Sequence, residues 1–160
     1  MERIVHPISP IYNKDSRILI LGSFPSVKSR EGEFFYHHPR NRFWNVISSI
    51  YQEQPPITID EKKDFLLRNG IAVWDVIQSC EIVGSSDSSI KNVIPNDITT
   101  ILNKANIQRI YTNGNAAYQL YQRYILPLAK RNCIKLPSTS PANAASSLEK
   151  LLQAWACIRD

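Results

Sequence analysis

This chain of 160 residues is expected to adopt a three-layer α/β/α fold around a central, mainly parallel sheet of four strands. Three observations predict it. Four aliphatic runs have strand length and little alternation, as strands buried on both faces do. Stretches with apolar residues at helical spacing lie between them. Strands joined through helices imply right-handed crossovers, hence parallel neighbours with helices on both faces.

The first strand is expected over residues 17–22, Arg-Ile-Leu-Ile-Leu-Gly, and ends in a glycine. A helix follows, with Phe43, Val46, Ile47 and Ile50 on one face, and residues 60–68 read as a short exposed helix. The second strand spans 70–77, and the polar stretch 84–96 reads as a loop long enough to have a job. Pro95 suits the first turn of a helix carrying Ile98, Ile101, Leu102 and Ala105. The third strand covers 107–112, and a long stripe from Ala117 through Leu120, Tyr121, Tyr124 and Ile125 to Leu128 follows it. The fourth strand is 132–136, and Leu148, Leu151, Leu152 and Trp155 mark the last helix. These stripes are assigned to core. Nothing splits the chain, so residues 1–160 are expected to form one domain.

Composition bounds the function. Hydrophobic residues at 43% and charged residues at 21% suit a soluble globule and exclude a disordered or fibrous chain. No apolar run reaches the roughly 20 residues of a membrane helix, and no signal-like core follows the start. Three scattered cysteines, Cys80, Cys133 and Cys157, rule out both a disulfide framework and a four-thiolate cluster. A cytoplasmic monomer is expected, nucleoid-associated in a prokaryote. Net charge is +5, from 19 Lys and Arg against 14 Asp and Glu. Such a surface permits a polyanionic partner, although many basic proteins have none.

In an open parallel sheet, ligands gather at the carboxyl ends of the strands. Those ends are Gly22-Ser23-Phe24-Pro25-Ser26, Trp74-Asp75 with the serine-rich loop 84–89, Asn113-Gly114-Asn115, and 137–143. Each reads as a turn by itself; four together suit backbone amides approaching a phosphate or base. The first is neither a dinucleotide fingerprint nor a Walker loop. Residues 34–44 place Phe34, Phe35 and Tyr36 before a basic turn containing His37, His38, Arg40 and Arg42. Aromatic faces stack on bases and arginine meets phosphate, so this is either a base-binding wall or core aromatics. A metal site is not expected, because His37 and His38 lack a third ligand and His6 is isolated.

At these residues the chain resembles the uracil-DNA glycosylase superfamily, and most closely its hypoxanthine-DNA glycosylase branch. The matching pieces are residues 22–26, His38-Pro39-Arg40-Asn41-Arg42-Phe43-Trp44, Trp74-Asp75-Val76-Ile77 with 84–90, Asn113-Gly114 and 136–143. They span nearly the whole chain in the superfamily's order. The resemblance implies a glycosylase that binds DNA, flips a deaminated nucleotide into a pocket and hydrolyses its N-glycosidic bond, with hypoxanthine expected before uracil. No cofactor is required, and the lack of a large apolar wedge at 138–143 adds single strands to duplexes as expected substrates. It places Ser23, Phe24 and Pro25 in the water-activating loop at the base, and Tyr36 stacked on the base. It puts Asp75 where a base-reading asparagine stands. It gives much of the activity to Asn41 and Asn113, and assigns Ser138, Thr139, Ser140 and Asn143 to the DNA-contacting segment. Arg40 and Arg42 are expected on phosphates or at a solvated helix start. Phe24 stands where many members carry Asp or Asn, and Ser138 where a histidine opens the later motif.

Breaking the C–N bond passes through an oxocarbenium-like state, which needs donors for the departing base and a held water. Asn41 is expected to orient that water and Asn113 to contact base or water. Asp75 either accepts an N–H from the base edge or, with a raised pKa, acts as general acid or base. Three alternatives remain: a mismatch-specific uracil glycosylase, a catalytically silent DNA-binding member, which Phe24 favours, and a small-molecule nucleosidase.

Overall fold

A computed structural model describes residues 2–160. Its first half contains β1 (Arg3–Val5), β2 (Ile18–Gly22), α1 (Val27–Gly32), α2 (Phe43–Ile50) and α3 (Ile59–Arg68). Next come β3 (Ile71–Asp75), β4 (Ile77–Glu81), β5 (Lys91–Pro95) and α4 (Thr99–Lys104). The last stretch holds β6 (Arg109–Asn113), α5 (Asn115–Leu120), a π turn (Tyr121–Ile125), α6 (Leu126–Ala129), β7 (Ile134–Leu136) and α7 (Leu148–Trp155).

The central sheet has strand order β3-β2-β6-β7, all parallel. Side-chain alternation along each aliphatic strand divides two cores between its faces. Ile18, Ile20, Ile71 and Val73 meet Phe43, Val46, Ile47, Phe65, Leu66, Leu151 and Trp155 of α2, α3 and α7. Leu19, Leu21 and Ala72 face the other way, onto Ile77, Cys80, Ile101, Tyr121 and Ile125. That is the expected three-layer arrangement. No helix among the described residues is long and apolar enough to cross a membrane.

Several expected elements change. The run 70–77 is not one strand: at Val76 the chain leaves the central sheet and enters a second, antiparallel one ordered β1-β4-β5. Val76 and Ile77 donate their backbone N–H groups to the carbonyls of Gly22 and Ser23. The stretch 84–96 is not all loop, because Lys91–Pro95 forms the edge strand β5, and Pro95 ends it rather than opening a helix. The helix at 59–68 buries Phe65 and Leu66, so it is not a wholly exposed one. The stripe 117–128 is interrupted by the π turn just before Pro127, a residue that cannot continue the hydrogen-bond ladder. One extra residue turns the downstream face by about 100°. Leu128 is therefore 75% exposed instead of buried.

Candidate active site

The carboxyl ends of the central strands converge, because Gly22 pairs in register with Asp75, and Asn113 with Leu136. Beyond them lies a cavity of about 110 Å³. Ser23, Phe24, Pro25, Tyr36, Asn41, Asp75, Asn113, Ser138, Thr139 and Ser140 all line it. Asn143 lines the adjoining groove, while Arg40 and Arg42 line neither.

Asp75 ends β3 and is 4% exposed. Its Oδ2 lies 2.7 Å from His6 Nε2. Nδ1 of the same ring accepts the backbone N–H of Ile8 at 3.1 Å, so the proton sits on Nε2 and is donated to Asp75. His6 is thus no isolated residue. The backbone of Asp75 is held too: Asn96 Nδ2 donates to its carbonyl at 2.9 Å and to that of Ile77 at 3.1 Å. Gly22 is required beside it, because a Cβ there would stand 2.4 Å from Asp75 Oδ1 and 3.1 Å from the Tyr36 hydroxyl.

Tyr36 has φ of 51°, left-handed backbone rarely adopted by so bulky a residue. Trp44 Nε1 donates to its carbonyl at 3.2 Å, and its ring stacks on Phe43 at 4.1 Å between centroids. The hydroxyl is buried without a hydrogen-bond partner. Burial, and then the charge of Asp75, push this phenol far above its ordinary pKa, against an opposing contribution from Asn113. It stays a neutral donor. Phe34 belongs to the core, Phe35 to both core and cavity wall, so the aromatic segment divides between its two readings.

Thr139 joins the two asparagines. Asn113 Nδ2 donates to Thr139 Oγ1 at 3.0 Å, and that hydroxyl donates onward to Asn41 Oδ1 at 2.8 Å. The Thr139 N–H returns to Asn113 Oδ1 at 3.0 Å. Asn41 Oδ1 also accepts the N–H of Phe43 at 2.9 Å, where α2 begins. Both lone pairs of Asn41 Oδ1 are therefore committed, and what it offers the cavity is its NH₂ group. Asn41 can thus hold a water only by donating to its oxygen. Gly114 permits the close packing, as a Cβ at its φ of 96° would lie 2.9 Å from that of Ser138.

Two expected DNA contacts are corrected. Thr139 is 0% exposed, and its hydroxyl, N–H and carbonyl are all paired, the last with the Arg42 N–H. The Arg42 guanidinium donates to the carbonyls of Ser140, Asn143 and Ser146, which makes it a strut under the 138–146 loop. Asn143 uses its NH₂ on Ser138 and Ser146 within that loop. Arg40 is exposed, with its side chain free of hydrogen bonds among the described residues.

Sequence reasoning missed His6, Asn96 and Asp87. The first two act across 69 and 21 residues of chain and leave no local signal. Asp87 does leave one, as the single acid among the serines of 84–89. Its Oδ1 accepts the Ser23 hydroxyl at 2.8 Å. Asp87 is exposed as a residue, but its Oδ1 turns to Ser23 at the cavity; burial of the carboxyl raises its pKa, the Ser23 bond opposes this, and the charge of Asp75 adds a smaller rise.

The relatives agree with this fold. A family model described as the uracil DNA glycosylase superfamily matches residues 9–159. A hypoxanthine DNA glycosylase of Methanosarcina barkeri is 31% identical over 149 residues, covering 92% of each chain. Another, of Methanosarcina acetivorans, is 30% identical over 135 residues, 83% of this chain and 84% of the relative. A solution NMR structure from Methanosarcina acetivorans, described as a candidate uracil DNA glycosylase, matches with a TM-score of 0.82 at 28% identity over 98% of both chains. The chain belongs to the uracil DNA glycosylase superfamily.

Proposed function

We propose that the cavity takes a hypoxanthine nucleotide turned out of DNA and hydrolyses its N-glycosidic bond, leaving an abasic site. The coarser statement rests on the family: the chain is a DNA glycosylase acting on DNA. Enzymes of this kind extrude the target nucleotide, because a stacked base hides its sugar bond.

One observation supports the base assignment above others. The cavity sets unpaired donors, the Tyr36 hydroxyl and the Asn41 amide, beside a carboxylate held in place by His6. Hypoxanthine presents an acceptor at O6 and a donor at N1–H, matching an amide and Asp75. Adenine presents the reverse pattern. Each buried group left unpaired by the wrong edge costs about 1–3 kcal/mol. Uracil shares the donor and acceptor types, and the names of the two archaeal relatives favour the purine. One face of Tyr36 is covered by Phe43, which leaves its other face for the base.

As the C–N bond breaks, negative charge moves onto the purine. Fixed donors aimed at that charge stabilise the transition state, about 10²–10³ in rate for one well-placed group. The Thr139 bridge fixes both asparagine amides before substrate arrives. No reorganisation is then needed at the moment of reaction.

Single-turnover cleavage of duplexes containing inosine, uracil or xanthine tests this. Fastest release of hypoxanthine is expected. Dominant uracil release would transfer the assignment to deaminated pyrimidines, and tight binding without release would make the chain a silent member.

A further inference from the structure

We propose that Asp87 is the catalytic base, the group that takes the proton from the attacking water. The inference rests on the glycosidic-bond hydrolysis argued above. It follows from asking which atoms of the cavity can still accept a proton.

Few can. Amide and hydroxyl oxygens are too weakly basic to take a proton from water, and those nearest are already engaged, Asn41 Oδ1 by Phe43 and Thr139 and Asn113 Oδ1 by the Thr139 N–H. The Thr139 hydroxyl is used in both directions, and the Ser23 hydroxyl donates to Asp87. Phe24, at the end of the first strand segment, has no acceptor. Two carboxylates remain, Asp75 and Asp87.

They are placed differently. Asp75 lies on the cavity floor, with Oδ2 on His6 and Oδ1 against Gly22, beside the Tyr36 hydroxyl. That is the position for reading a base edge. Asp87 reaches the cavity from the loop 84–89, oriented through Oδ1 by Ser23, and its Oδ2 has no partner among the described residues. A free carboxylate oxygen beside a hydroxyl-fixed one suits a water-binding base.

Electrostatics supplies an independent reason. Asp87 stands where the cavity meets two shallow grooves. The other charged residue of one groove is Lys135, and those of the second are Lys91 and Arg123. A carboxylate at the centre of a surface that must meet phosphates weakens binding. Chemistry accounts for it where binding does not. Burial of the carboxyl and, less, the charge of Asp75 raise its pKa against the Ser23 bond, the direction that strengthens a base.

The step balances. The electron pair of the C1′–N9 bond leaves with the purine, and a water lone pair forms the new C1′–O bond. The proton shed by that water passes to Asp87 Oδ2, and from there through solvent to the purine anion. The products are neutral hypoxanthine and an abasic deoxyribose.

Asp87→Asn tests it, because the amide oxygen still accepts the Ser23 hydroxyl. Single-turnover release from inosine DNA should fall by about 10²–10⁴-fold, with DNA affinity unchanged or tighter. In the wild type the rate should rise with pH as Asp87 ionises, and the variant should lose that limb. The groups facing Asp87 are Ser23 and Asp75, the latter bonded to His6, with Arg30 on the Gly84 carbonyl and Lys91, Arg123 and Lys135 across the grooves. Ser23→Ala removes the bond that lowers the Asp87 pKa, so its limb should move to higher pH. Release by Asp87→Asn within about threefold of wild type, or slowed release with the limb intact, would overturn the assignment. A wild type that releases no base from any lesion would instead overturn the function itself.

Discussion

Thr139 shows how much chemistry one buried hydroxyl can organise. It accepts from Asn113, donates to Asn41 and is 0% exposed. Replacing it with valine keeps the shape and removes the link, taking the Thr139 partner from the Asn113 NH₂ and leaving Asn41 Oδ1 with the Phe43 N–H alone. Thr139→Val should lose about 1–3 kcal/mol of stability, read by denaturant unfolding. Its kcat should fall while binding of inosine DNA changes little. Thr139→Ser restores the hydroxyl and should restore kcat, an outcome that a packing role alone would not give. The strand-end position of residues 137–143 was legible in the sequence. The buried role of Thr139 was not, because Thr-Ser-Pro reads equally as a solvent-facing loop and the deciding partners lie 26 and 98 residues away.

At the scale of elements, the site depends on how two loops are pinned to the sheet. Asn96 clamps the carbonyls of Asp75 and Ile77 where the chain changes sheets, so the β3–β4 crossover is a positioning device. The sequence shows a continuous apolar run there, and the break at Val76 is invisible because both strands on either side are buried. Strands β1 and β5 escape for another reason: three and five residues on a half-exposed sheet carry no readable period. Arg42 pins the second loop through the carbonyls of Ser140, Asn143 and Ser146. Arg42→Ala should therefore speed amide exchange across residues 140–146 and lower stability by about 2 kcal/mol. The slope of log affinity against log salt for DNA should stay the same. Arg40→Ala should instead reduce that slope by about 1. The reverse pattern would return Arg42 to a phosphate.

For the whole molecule, the alternation that made four strands legible also builds the two cores on the faces of the sheet. Two buried phenols stand in them. Tyr111 donates to the Cys157 carbonyl at 3.3 Å and Tyr121 to that of Arg131 at 2.5 Å. Burial pushes each up from 10.0 to about 12. The folded chain then holds protons that the unfolded chain has released, so stability is full below pH 10 and declines from there toward 12. Denaturation midpoints across that window should drop, and Tyr121→Phe should flatten the decline. The active centre, in contrast, is an assembly of amide donors fixed through their carbonyls, and Asn41, whose Oδ1 has both lone pairs committed, decides whether that view holds. Asn41→Asp keeps an oxygen for Phe43 and Thr139 and exchanges only the cavity-facing NH₂ for an acceptor. Single-turnover hypoxanthine release by this variant, measured with its melting temperature, is the most direct test. The account predicts near wild-type stability with release slowed by about 10²–10³-fold; release at or above the wild-type rate would show that position 41 serves by accepting from water, and would contradict it.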